Sequence, residues 1–312
     1  MEHGAHLSRR LEVLSAAQSA ACPDAARAQF ARYLSGECSA EVMLMHLLLA
    51  TGSVPGLNAA LERLGQADAG SEPQVAALRQ LLHQHVDSLE GAAELVGSGI
   101  AEACGNADDL DGVRAQFDRA VAAAPEASVA LYSLGDPRLL DRATAEIVAT
   151  LREWGLLSRD RVVLDLGCGI GRMARAIAPE VHEVVGLDLS PGMVAEAERR
   201  CRDLRNVRFI CGTGRDLAGV ADASIDLVMA VDSFPYMVAI DPGLARRHVE
   251  EAARTLRRGG VLLIVNYSYR DDLAADAAEL HKTAAANGFR LDRAGTRDFS
   301  LWDGAAFLLR KQ

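Results

Sequence analysis

The sequence predicts a doubly wound parallel α/β sheet preceded by an all-α domain, on three observations. Between Leu7 and Val121, apolar residues recur at three- and four-residue spacing, with almost no β-branched clusters. After Pro125, short β-branched runs alternate with helical stretches, which requires parallel strands covered on both faces. A glycine-rich turn directly follows the first of those runs. The domain boundary is placed at 128/129, giving residues 1–128 and 129–312.

In the first part, Leu7, Leu11 and Leu14, and again Leu78, Leu81, Leu82 and Val86, mark helical faces. Breaks at Cys22–Asp24, Gly52–Gly56, Gly70–Pro73 and Gly97–Asp111 divide the segment into five or six short helices. Arg138–Trp154 is a further helix. Strands are then expected at Val162–Asp165, Glu183–Asp188, Val207–Cys211, Ile225–Val231 and Val261–Asn266. Helices begin near Gly171, cover Pro191–Cys201, run through Arg246–Leu256 and span Leu273–Asn287. The last strands lie near Phe289–Arg293 and Ala305–Arg310, and a closing hairpin makes the final one antiparallel.

The 312 residues suffice for two cores of about 100–200 residues each. With 43 Asp+Glu against 33 Lys+Arg, the net charge of -10 disfavours a nucleic-acid partner held through phosphates. Six cysteines form no CxxC pair and no Cys/His spacing suited to zinc, and no three-cysteine cluster suits an iron–sulfur centre. No metal is expected. Met1–Gln18 lacks the apolar core of a signal peptide, and Val42–Ala50, interrupted by His46, falls far short of the roughly 20 residues a bilayer requires. No membrane contact is expected, and the cytoplasm is the expected location.

In an open α/β sheet, ligands bind outside the carboxyl ends of the strands, at the switch point beside the first strand. There the sequence reads Val162-Val163-Leu164-Asp165-Leu166-Gly167-Cys168-Gly169-Ile170-Gly171-Arg172. Its GxGxG spacing differs from the dinucleotide GxGxxG, with Arg172 in the third glycine position, and the GK[ST] of a phosphate loop is absent. Asp165 repels a pyrophosphate but suits an ammonium group, and the helix start suits a carboxylate. Asp188, about 20 residues past the loop, can accept hydrogen bonds from both hydroxyls of a ribose. Met193 can pack on an adenine face. These parts fit a nucleoside carrying an amine and a carboxylate.

Val163–Arg172 resembles motif I of the class I S-adenosylmethionine-dependent methyltransferases, and Val185–Ser190 their motif II. Ala223–Val228 resembles the family's entry to strand four, and Leu256–Leu262 its run before strand five. The resemblance implies a seven-stranded Rossmann-like sheet, S-adenosylmethionine as cofactor and S-adenosylhomocysteine as product. It sets Gly167 and Gly169 against the methionine part, Asp165 at its amine and Asp188 at the ribose. Cys168 is a small filler of the glycine loop, and Leu189 follows Asp188. In place of the family's Gly-Asp-Ala run stands Cys211-Gly212-Thr213-Gly214-Arg215-Asp216, so the adenine amine falls to Thr213, Gly214 and Arg215 or to Asp216. Tyr132 is placed on the cofactor carboxylate or, equally, between domains.

Val231–Met237 is expected to face the transferable methyl. Asp232 orients or deprotonates the acceptor, Tyr236 hydrogen-bonds it, and Phe234 and Met237 supply an apolar wall. Asn266, Tyr267 and Tyr269 share the rim. His248 is expected to be solvated, and His46 to be a satisfied core histidine. The helical domain forms the other wall of the acceptor pocket or a homodimer contact. The expected activity is methylation of an oxygen or nitrogen of a small molecule, by analogy in specialised metabolism. A protein or RNA acceptor, a non-methylating cofactor-binding protein and an NAD-dependent dehydrogenase stand as alternatives.

Overall fold

A computed structural model describes residues 22–67, 72–97, 109–270 and 272–312. The helical face expected at Leu7, Leu11 and Leu14 lies outside the described residues. The described chain forms two compact units. Of the described residues, one unit takes those within 1–101, 126–140 and 300–303, the other those within 102–125, 141–299 and 304–312.

The first unit holds helices α1 (Arg27–Ser35), α2 (Ala40–Thr51), α3 (Val54–Ala67), α4 (Glu72–Gln84) and α5 (Val86–Gly97). Ser39 starts α2 by accepting the Val42 N–H at 3.1 Å, and Gly52 ends it at φ 69°. Val42, Met43, Leu44, Leu47 and Leu48 are all buried, so the apolar run is core. His46 Nε2 lies 3.8 Å from the Asp303 carboxylate. Among the described residues no single helix is long and apolar enough to cross a membrane.

Helix α6 (Leu110–Ala123) lies in the second unit, with the sheet, although its sequence continues the helical pattern of the first part. The short α7 (Pro125–Val129) and the longer α8 (Pro137–Glu153) lead into the sheet. The strands are β1 (Val162–Leu166), β2 (Glu183–Asp188), β3 (Val207–Cys211), β4 (Ile225–Val231), β5 (Leu256–Val265), β6 (Phe289–Arg297) and β7 (Ala305–Lys311). The order is β3-β2-β1-β4-β5-β7-β6, parallel through β5, with β7 antiparallel to both its neighbours. The expected doubly wound seven-stranded sheet with a closing hairpin is what forms.

Alternation along the strands sends Leu164 and Leu166 to one face, where they join Val185, Leu187, Val228, Ala230, Leu262, Ile264 and Phe307 in a single core. Val163 and Asp165 consequently point to the opposite face. Helices α9 (Arg172–Ile177), α10 (Pro191–Cys201), α11 (Phe234–Ile240), α12 (Pro242–Thr255) and α13 (Leu273–Ala286) cover the sheet.

Three expectations change. Phe234–Ile240 is helical, started by a proline in its first turn. Strand β5 begins at Leu256 rather than Val261, with the register to β4 shifting between Ile225 and Leu227, and Gly259 at φ 80° carrying the irregularity. His248 is not solvated. It is 1% exposed, because its turn of α12 faces the core, and burial lowers its pKa.

Phe307 is fully buried, 6.3 Å from the Tyr267 ring. Phe307→Ala is expected to destabilise the protein by about 3–5 kcal/mol, read as a lowered midpoint in thermal or urea unfolding. A midpoint unchanged within error would contradict this packing.

Candidate active site

The parallel register brings the carboxyl ends of β1 and β2 side by side, with Leu166 opposite Leu187. The Gly167 and Cys168 N–H groups both donate to the Leu187 carbonyl, at 2.7 and 3.1 Å, and pin the glycine turn to the neighbouring strand. Gly167 sits at φ 73°, and a Cβ there would lie 2.4 Å from the Ser233 Cβ. Ser233 itself donates to the Leu166 carbonyl at 2.8 Å, so the tip of β4 is fastened to the tip of β1. Only glycine fits between them. Gly169 follows at φ 52° and Gly171 at φ 77°, after which α9 begins at Arg172.

Asp188 closes the second strand. One carboxylate oxygen accepts the Gly169 N–H at 2.8 Å and the other the Ser190 N–H at 2.9 Å. Each oxygen keeps a further acceptor site, and the residue is only half-buried. Burial nevertheless raises its carboxyl above the ordinary value, against the lowering effect of those backbone donors.

Asp165 differs. It is 2% exposed, and one of its oxygens is buried with no hydrogen-bond partner. Burial pushes its carboxyl up to about 7, opposed by Arg172 and reinforced by Asp188. A buried carboxylate with an unsatisfied oxygen is costly on its own and favours a cation beside it. Cys168 is buried, its thiol raised well above the ordinary value by burial.

After β3, Gly212 donates to the Asp188 carbonyl at 2.8 Å, which draws the loop Thr213–Asp216 alongside β2. Gly214 turns at φ 73° beside Leu189, Thr213 Oγ1 accepts the Arg215 N–H at 3.2 Å, and Asp216 accepts that of Ala218 at 3.2 Å. Met193, in the first turn of α10, is 1% exposed. Tyr132 lies in the helical unit, its ring stacked on Trp302 at 5.4 Å.

On the other side of β1, Val231 pairs with Val265, and both strands leave the sheet at the same level. Asp232 and Asn266 each adopt a left-handed backbone, at φ 64° and 61°. The Asn266 amide and the Tyr269 hydroxyl both donate to one Asp232 oxygen, at 3.1 and 2.6 Å. Tyr236 stands edge-on to Tyr269 at 6.1 Å and to Phe117 at 4.9 Å. Asp232, Tyr236, Asn266 and Tyr269 are thus brought together as expected, with Phe117 of α6 added. Phe234 and Tyr267 are core residues whose rings pack tilted against each other at 5.9 Å, and neither lines the rim.

Helix α6 contributes a second group that motif reading missed. Asp118 accepts hydrogen bonds from the Ser190 hydroxyl and the Gly192 N–H. No motif marks this residue, because its partners lie 72 and 74 positions away.

Residues 163–260 match a family model described as a methyltransferase domain. A 2-methyl-6-phytyl-1,4-hydroquinone methyltransferase of Synechocystis is 29% identical over 145 residues, 44% of each chain. A mouse protein, tRNA (uracil-5-)-methyltransferase homolog A, is 35% identical over 107 residues, 33% of this chain and 16% of that one. The chain therefore spans less than half the length of either relative. A Haemonchus contortus phosphoethanolamine N-methyltransferase, solved with phosphoethanolamine and S-adenosylhomocysteine, superposes with a TM-score of 0.50 at 15% identity. That match covers 64% of this chain and 48% of that one, and it bears on the fold.

The raised Asp165 carboxyl has a consequence for stability. Between the ordinary value of 3.8 and about 7 the folded protein holds a proton that the unfolded chain releases. This group therefore costs stability progressively as pH rises through that window, with the full cost present above it. Asp165→Asn removes the ionisation. The melting temperature of the variant relative to wild type is expected to climb by several degrees between pH 4 and pH 7, then level off. A difference independent of pH would contradict the assignment.

Proposed function

We propose that this chain, whose residues 163–260 match a methyltransferase-domain family model, transfers a methyl group from S-adenosylmethionine to an oxygen or nitrogen of a small molecule. The observation that carries the reading is the pairing of two different acids on adjacent strand tips. Asp165 presents a buried, unsatisfied carboxylate oxygen, and Asp188 a half-buried carboxylate already aligned by two backbone donors. The first suits the cofactor's ammonium group and the second its ribose hydroxyls, so the residues present fit the cofactor. S-adenosylmethionine supplies a methyl group on a sulfonium, whose thioether is its own leaving group.

The chain's own residues then have limited tasks. Gly167 and Gly169 keep side chains off the turn where the amino-acid tail is held, and Asp188 fixes the sugar. The loop Thr213–Asp216 borders the base, and Val231 the approach to the acceptor side. Positioning of this kind supplies up to roughly 7–11 kcal/mol in ideal cases. Asp232 takes the proton of the acceptor hydroxyl or amine. Its carboxylate is aimed by Asn266 and Tyr269, and its left-handed backbone is a strained conformation of the kind concentrated at active sites. Tyr236, backed by Phe117, walls the acceptor and offers it a hydroxyl.

An RNA acceptor is the second reading, favoured by the similarity to the mouse tRNA methyltransferase homolog. The net charge of -10 weighs against it, since phosphate contacts dominate RNA affinity. Transfer of labelled methyl from S-adenosylmethionine to small metabolites, and none to total RNA, is the expected result. Label in RNA alone would select the second reading.

For the cofactor, calorimetric titration is expected to give binding of S-adenosylhomocysteine and none of NAD. Asp188→Ala removes hydrogen bonds to a charged acceptor worth about 1.5–3 kcal/mol each, and should weaken S-adenosylhomocysteine roughly 10²-fold. Gly169→Val should be at least as damaging. Near-normal affinity in both variants would place the cofactor elsewhere. Asp232→Asn should leave that affinity intact and lower turnover by about 10²–10⁴. Unchanged turnover would remove Asp232 from proton transfer.

A further inference from the structure

Resting on the cofactor reading above, we propose that Asp118 is a positioning residue for the nucleoside end of the site. From helix α6 it holds the turn Asp188–Gly192 in the shape that presents the Asp188 carboxylate. One Asp118 oxygen accepts both the Ser190 hydroxyl, at 2.5 Å, and the Gly192 N–H, at 2.9 Å. Ser190 is fully buried, and its hydroxyl oxygen in turn accepts the Met193 N–H at 3.1 Å. Its own N–H donates to one oxygen of Asp188, whose other oxygen takes the Gly169 N–H. An unbroken chain of hydrogen bonds thus runs from α6 through the helix-capping serine to the ribose acid and the glycine turn.

Capping α10 needs only the serine oxygen. The Asp118 carboxylate adds a constraint that capping leaves open, the direction of the serine O–H. Charge assistance makes such bonds about twice as strong as neutral ones. The seat of α6 is built for close approach. A Cβ on Gly192 would lie 3.0 Å from Asp118 Oδ1 and 3.0 Å from Val121 Cγ1, and one on Gly214 would lie 3.2 Å from Leu110 Cδ2. The helix therefore rests on both loops that flank the nucleoside end. The Asp118 charge is also among the influences that raise the Asp188 carboxyl.

The test is titration of S-adenosylhomocysteine into wild type, Asp118→Ala, Asp118→Asn, Ser190→Ala and the Asp118→Ala/Ser190→Ala double variant, each checked for folding by circular dichroism. Both bonds end on a single oxygen, so the Asn amide oxygen can accept them. Asp118→Ala is expected to bind about tenfold more weakly and Asp118→Asn within about threefold of wild type. The double variant is expected to lose no more than about threefold beyond Asp118→Ala, since the two residues act as one unit. A contact that serves only packing would lower the melting temperature of the ligand-free protein and leave affinity alone. The proposal is overturned by a folded Asp118→Ala within twofold of wild type, by Asp118→Asn as weak as Asp118→Ala, or by losses that multiply in the double variant. If Asp118→Ala does not fold, a folded Ser190→Ala with wild-type affinity overturns it. A wild type that takes up no S-adenosylhomocysteine ends the cofactor reading and this inference together, whereas binding wild type with indifferent variants ends this inference alone.

Discussion

The Asp188 carboxylate joins two turns that the chain reaches 19 residues apart, taking the Gly169 N–H on one oxygen and the Ser190 N–H on the other. Free backbone donors at helix starts ordinarily wait for a capping side chain or for a ligand. Here one acid serves the turns after two neighbouring strands, and this fixes their separation. The glycine turn cannot open without breaking the bond to Asp188, and Asp188 cannot rotate without releasing the start of α10. Both turns in addition hang on the same strand, since the Gly167 and Cys168 N–H groups share the Leu187 carbonyl. The geometry at the tips of β1 and β2 follows from their register, with side chains only finishing it.

The corner at the ends of β4 and β5 is built on a different principle. Strands β4 and β5 end together, and each is carried out of the sheet by a non-glycine residue in the left-handed region. Asp and Asn are the side chains that tolerate this conformation best, and each residue here also bonds a neighbour. Asn266 donates to Asp232 and accepts the Ala305 N–H at 3.0 Å, so β7 buttresses the same corner. Strain of order 1–3 kcal/mol per residue is sustained only where the surroundings over-determine it. The hairpin that closes the sheet is part of that support.

Legibility in the sequence followed the range of the interactions. Strands β2, β3 and β4 and helix α10 were readable residue for residue: burial on both faces makes β2 and β4 mostly apolar, Val207, Phe209 and Ile210 mark the partly exposed edge strand β3, and Pro191 marks the start of α10. The strand-tip acids Asp165 and Asp188 were readable as candidates because strand-end position and spacing are local. The early start of β5 was hidden by Arg257 and Arg258, exposed residues that break the apolar pattern while the backbone still pairs. His248 misled through its Arg and Glu neighbours, which occupy the outer face of an amphipathic helix whose inner face holds the imidazole. Asp118 and Phe117 were illegible for a further reason. Helix α6 carries the composition of the helical segment around it, and only the tertiary fold assigns it to the sheet.

Apart from the left-handed Ala223 before β4 and the unpartnered His248 Nε2 on α12, the unfavourable terms described in the sheet unit gather at strand tips. The unsatisfied Asp165 oxygen and the left-handed Asp232 and Asn266 all lie at carboxyl ends of β1, β4 and β5, while the apolar faces behind them are fully packed. A protein selected for stability alone gains by neutralising Asp165, since a buried charge without a partner is among the costliest groups a core can hold. The sequence instead keeps the acid and leaves Arg172, whose guanidinium donates to Thr144 at 3.1 Å, as the main opposing influence. Under the proposed function, the cofactor's ammonium group at the glycine turn recovers this cost as binding free energy. The instability of the ligand-free strand tip and the affinity for a positively charged amine are then one quantity seen from two states, and a change that relieves the first must diminish the second.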